Sequence, residues 1–288
     1  MGFRAWLRQV LRTIQEKVDH FLGRGVRPED EPNISGDNGT GTGTGSGNEE
    51  SPQSPKSCIC QRPWVPRQPS PHLPETNKEF YVEQGVPLYR ATLNGDREKL
   101  QQILNPYGRT LLCSSITGAR ETALHVAVEA RQVAVVKELV GRMESGDLEL
   151  QDGRGNTAFC VAAATGSVNI AKILMDENAD LAFIRGAENR TPLYIAAVCG
   201  YPEMLRFLYK KFEPHIPCLH EEEQRGIFFA CIRAGLFDLA IRMLEVLGDV
   251  LAWPPNDDEE TALGILARTP SAFAGKSSTT PKTLIDMC

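Results

Sequence analysis

The amino-acid sequence predicts an all-α solenoid of about six helix-turn-helix repeats, preceded by an amphipathic helix and a disordered linker. Three observations carry that expectation. The segment ETALHVAVEARQVAVVKELV, Glu121 to Val140, is echoed by NTAFCVAAATGSVNIAKILM from Asn156 and by RTPLYIAAVCGYPEMLRFLY from Arg190. The frame set by Thr122, Thr157 and Thr191 extends to weaker copies at Val86, Gly226 and Thr261, with successive starts 34 to 36 residues apart. Columns of similar residues run through the copies, which is what units that bury their apolar faces only against one another require.

Residues 1–23 come first in chain order. Phe3, Trp6, Leu7, Val10, Leu11 and Ile14 follow steps of three and four and continue to Val18, Phe21 and Leu22, one stripe of a helix with arginines largely opposite. From Met1 to Arg27 six basic residues face only Glu16 and Asp19, a net +4, leaving −10 for the rest of a chain whose total is −6. Such a helix is expected to meet an anionic membrane surface through Phe3, Trp6, Leu7, Val10, Leu11 and Ile14, to dock on the repeat stack, or to bind a partner. Myristoylation at Gly2 is not expected, because Trp6 stands where the motif needs Ser or Thr.

Residues 24–78 are read as a disordered linker, Gly-rich and then Pro-rich, with too little aliphatic pattern to offset ordering entropy. Ser51, Ser54 and Ser70 each precede Pro, a pattern open to proline-directed phosphorylation, and Cys58 and Cys60 are expected to be idle.

Residues 79–274 form the expected repeat domain. Five positions after each frame residue stand Ala91, Ala127, Ala162, Ala196 and Cys231, small enough for neighbouring repeats to approach closely. Nine positions after it stand Gly95, Gly166, Gly200 and Gly235, placed to end a short helix in the left-handed conformation, with Arg131 breaking the column. Seventeen positions on, Ile103, Leu139, Leu174, Leu208 and Met243 mark the buried stripe of a second helix. DGRGNT and GAENRT, between copies, carry turn chemistry and predict projecting fingers. Residues 275–288 are read as a tail.

With T-x-L-H at its head and this period, the repeat resembles the ankyrin family, so the fold class is an all-α ankyrin-repeat solenoid. That resemblance implies a concave surface of finger tips and first helices that binds protein and rarely catalyses. The contact candidates are Arg154, Asn156, Glu188 and Arg190 in the fingers and Glu129, Ala164, Thr165 and Val198 on first helices. TALGILARTPSAFA, Thr261 to Ala274, and LYRATLNGD, Leu88 to Asp96, are similar to segments of plant ankyrin proteins that carry a C-terminal membrane domain, the PGG domain. The resemblance implies a signalling role in defence or stress. After Ala274 only GKSSTTPKTLIDMC follows, without a PGG motif or spanning helix, as expected of a truncated product, a splice form or a soluble paralogue.

Other chemistry is weakly supported. No run of about 18 apolar residues occurs, so the expected location is the cytoplasm, or the cytoplasmic face of a membrane if the first helix binds lipid. The −10 balance argues against nucleic acid, and no phosphate loop or nucleophile elbow is present, so no cofactor, small-molecule substrate or enzyme activity is expected. His215, Cys218 and His220 are three potential metal ligands without a fourth, and no metal is expected there. The acidic runs Glu221 to Glu223 and Asp257 to Glu260 are read as solvated surface. His125 is read as a structural hydrogen-bonder, because Tyr89, Cys160, Tyr194, Phe229 and Gly264 share its slot in the frame.

Overall fold

A computed structural model describes residues 65–247 together with Leu251, Ile265 and Arg268. The expected helix at 1–23 with its six lipid-facing candidates, the linker from 24 to 64, the sixth copy's start at Thr261 and the tail lie outside the described residues.

Five helix pairs follow one another: α1 (Val86–Asn94) and α2 (Arg97–Leu104), α3 (Ala123–Glu129) and α4 (Val133–Val140), α5 (Ala158–Thr165) and α6 (Val168–Glu177), α7 (Pro192–Cys199) and α8 (Pro202–Phe212), α9 (Glu221–Arg233) and α10 (Phe237–Leu247). Among the described residues there are three isolated β-bridges and no sheet. The first helices α1, α3, α5, α7 and α9 pack in sequence order, and α2, α4, α6 and α8 form a second row behind them.

Local chemistry explains where the helices start and stop. Thr157 and Thr191 cap α5 and α7 by accepting the backbone N–H of Cys160 and Tyr194, and Pro192 and Pro202 occupy the first positions of α7 and α8, where a missing N–H costs nothing. The column of small residues is buried throughout, at 2% exposure or less, and the second-helix column from Ile103, at 9%, to Met243 is buried as well. A larger side chain in the first column would push the repeats apart.

At the helix ends Gly95, Gly166, Gly200 and Gly235 have φ between 69° and 75° or, for Gly166, 68°. Arg131 adopts φ 56° in the same role, and its guanidinium donates to the Thr165 carbonyl of the next repeat at 2.5 Å. That bond recovers part of the cost of a left-handed arginine.

Two regions differ from expectation. Residues 65–78, assigned by composition to the linker, lie against the array. The Gln151 N–H donates to the Arg67 carbonyl at 2.8 Å, Ser115 N–H donates to Pro71 O at 3.1 Å, and Leu73 is buried. Pro-rich composition did not anticipate this, because Leu73–Thr76 forms a short helix here and the chain before it exchanges backbone hydrogen bonds with the array. Helix α9 starts five residues before its frame residue, Gly226, because no Thr stands there to cap it and a 3-10 turn at Glu213–Cys218 replaces the finger. The run Glu221 to Glu223 is consequently the first turn of a helix rather than solvated loop, and Glu223 is fully buried.

Candidate protein-interaction face

The face carrying fingers and first helices is built from hydrogen bonds that pass from each repeat to the next. At the junction of the second and third units, the Thr122 N–H meets His125 Nδ1 at 3.3 Å while the Thr122 hydroxyl lies 2.9 Å from the same nitrogen. His125 Nε2 lies 3.0 Å from the carbonyl oxygen of Asn156. One nitrogen accepts and the other donates, which defines a neutral imidazole protonated on Nε2. Complete burial holds the His125 pKa below its ordinary value, although the Asn156 carbonyl and the Asp152 and Glu121 carboxylates pull the other way. The ring is a bracket between repeats.

Other side chains fill the same slot differently. The Cys160 thiol lies against the Thr157 hydroxyl and donates to Ile184 O at 3.7 Å, and burial raises its pKa, so it stays a protonated thiol. At Thr191 the partner comes from the following repeat: Glu223 Oε1 accepts both the backbone N–H, at 2.8 Å, and the hydroxyl, at 3.0 Å. Arg185 Nη1 meets Glu223 Oε2 at 2.9 Å, so a buried ion pair ties α9 to the turn before α7.

The fingers are joined sideways. Gly153 N–H donates to Ala119 O at 2.8 Å, and Ala187 N–H donates to Asn156 Oδ1 at 2.9 Å. Asp152 Oδ1 accepts the N–H groups of Arg154 and Asn156, closing the middle finger. Rigid tips on a common base result.

The eight contact candidates therefore fall into two groups. Arg154 and Glu188 are exposed at finger tips, Glu129 is exposed on α3, and Val198 is 65% exposed on α7. Asn156 is occupied in holding His125, Asp152 and Ala187. Arg190 donates to Glu222 at 2.8 Å and lies over the Tyr194 ring, 4.9 Å from its centroid. Thr165 turns its hydroxyl back to Val161 O, and Ala164 is half-buried.

An open groove of about 570 Å³ runs between the first two repeats. Tyr81, Tyr89 and Leu93 form one wall, Ile116 and Val126 the floor, and Glu121 and Glu129 supply the charge. Sequence reasoning did not anticipate it, although Tyr89 and Tyr194 share a frame position. Among the described residues no group of three or more His, Cys, Asp or Glu could hold a metal, and His215 instead packs edge-on against Phe183 with ring centroids 5.1 Å apart. No helix among them is long and apolar enough to cross a membrane.

Stacked helix pairs with laterally bonded fingers and one exposed face of tips and first helices define a repeat scaffold, a class that binds rather than catalyses. The family described as ankyrin repeats (3 copies) matches residues 88–183 and 124–218, and with the frame and the helix pairs this identifies the array over those residues as ankyrin repeats. Two relatives match just under half of the chain. A transient receptor potential cation channel subfamily A member 1 homolog from Caenorhabditis elegans is 30% identical over 129 residues, 45% of this chain and 10% of that protein. The E3 ubiquitin-protein ligase XBAT32 of Arabidopsis thaliana is 30% identical over 134 residues, 46% of this chain and 26% of that protein. The matches thus span a tenth and about a quarter of the two relatives' own lengths.

Proposed function

We propose that this chain is a non-enzymatic adaptor that holds a protein partner on its finger tips and first-helix surface. Its expected setting is signalling in a stress or defence response, as the likeness to plant ankyrin proteins implies. One observation carries the reading. Glu129, Arg154, Glu188 and Val198 are exposed on consecutive repeats of one face, while the polar groups that build that face are largely bonded to one another. A surface already rigid loses little conformational entropy when it binds, which favours affinity. The two relatives are a cation channel homolog and a ubiquitin ligase, so similarity to them points to no shared reaction.

The test is affinity capture from native tissue with the intact chain and with Glu129, Arg154, Glu188 and Val198 all changed to Ala. Recovery of the partner should fall about ten-fold or more with unchanged circular dichroism, since loss of central contacts costs at least that much. A control carrying Lys137→Ala, Lys172→Ala and Lys210→Ala, exposed positions on the second-helix row, should retain the partner. Loss confined to the lysine control would move the binding surface to the other face.

A further inference from the structure

Elsewhere in the array, away from the groove between its first two repeats, an arginine sits on a tyrosine of the same frame position as Tyr89 and pairs with a carboxylate. At the frame of Thr191, Tyr194 stands three positions after the frame residue and Arg190 one before it. The guanidinium lies 4.9 Å from the Tyr194 centroid and 2.8 Å from the Glu222 carboxylate. At the frame of Val86, Tyr89 occupies the position of Tyr194, and Glu121 and Glu129 line the same groove. The position of Arg190 is taken by Gly85. No side chain can be added there without displacing an aromatic ring, because a Cβ on Gly85 would stand 2.6 Å from Tyr81 Cδ2. The groove therefore has the aromatic face and the carboxylates of an arginine slot, and among the described residues no basic side chain lines it.

We infer that this slot takes an arginine of the chain's own segment 1–22. Two features favour this occupant over a separate molecule. The segment repeats Arg4, Arg8 and Arg12 at four-residue spacing, each next in sequence to Phe3, Leu7 or Leu11, so one short stretch carries basic groups for the carboxylates and apolar groups for Leu93, Ile116 and Val126. Residues 23–64 join it to the array, and a Gly-rich chain of that length has a root-mean-square reach of about 35 Å. Tethering on that scale gives a millimolar-range local concentration, enough to fill a slot whose affinity for a free peptide is weak. The occupied groove includes Glu129, so the segment competes with any partner of the first two repeats. The inference goes beyond the protein-binding proposal and does not depend on it.

The test uses the purified full chain, free of partner and lipid, with a benzophenone amino acid at position 6 and peptide mapping after illumination. Cross-links should concentrate within residues 81–93 and 116–130, with a yield independent of protein concentration. Combined Glu121→Gln and Glu129→Gln should lower that yield about five-fold, as should combined Arg4→Gln, Arg8→Gln and Arg12→Gln, while Glu98→Gln on α2 should not. Gln at position 121 still offers an acceptor to the Thr117 hydroxyl, now 2.8 Å from Glu121, so the finger turn is kept. Cross-links spread over the array, insensitive to the two glutamates or rising with concentration would overturn the inference. So would labelling that appears only with phosphatidylserine vesicles, which would assign the segment to membrane.

Discussion

His125 uses both ring nitrogens between Thr122 and Asn156 in a buried site. Replacing it with Ala leaves a backbone N–H and a carbonyl without their partner and opens a cavity, so urea denaturation should show a loss of about 2 to 3 kcal/mol. Because its folded pKa is depressed, the unfolded chain binds the proton more tightly. Stability from this group is full above the unfolded value, near 6.5, and declines as pH falls below it. The decline below about pH 6.5 should be steeper in the parent than in His125→Ala, and parallel curves would contradict a buried neutral ring. Glu223 makes a sharper contrast with its neighbour: Glu223→Ala takes the carboxylate from Arg185, which keeps the Asn189 carbonyl, and leaves two donors of Thr191 unmatched, and should cost about 3 kcal/mol. Glu222→Ala removes an exposed pair and should cost under about 1 kcal/mol. The role of His125 was legible because the repeat displays five other occupants of its slot. The role of Glu223 was not, since a run of three glutamates reads as solvated unless the capping Thr it serves, 32 residues earlier, is already known to be adjacent.

At the scale of the helix, the glycine column separates two costs. Gly200 has φ 74° and open space where a methyl would stand, so Gly200→Ala should cost only the left-handed conformation, about 1 kcal/mol. Gly166 has φ 68° and would also drive a Cβ into the Tyr201 ring. Gly166→Ala should therefore lower the thermal midpoint clearly more than Gly200→Ala, and equal shifts would show that the Tyr201 ring moves aside freely. Helix existence, the small-residue column and the glycine stops were all legible, because each is a repeated local requirement. The early start of α9 was not: it depends on a 3-10 turn replacing a finger before a frame residue, Gly226, that offers no side chain to cap the helix. The packing of residues 65–78 escaped for a related reason, since backbone bonds such as Gln151 N–H to Arg67 O leave no trace in side-chain pattern.

Across the described array, the second to fifth repeats are bonded each to the next by His125 to Asn156, Asn156 to Ala187, and Glu223 to Thr191, which ties the fingers into one row. The candidate face was legible as a face, because exposed positions recur with the repeat. Which residues on it are available was not legible: Asn156 and Arg190 have the exposed-turn chemistry of contact residues, yet they serve their neighbours. The central claim is that a protein partner occupies this finger and first-helix face. The most direct measurement is hydrogen exchange on the chain with and without its captured partner. The account predicts added protection in residues 117–121, 152–156 and 186–190 and on α3, α5 and α7, with α4, α6 and α8 unchanged; protection confined to the second-helix row would contradict it.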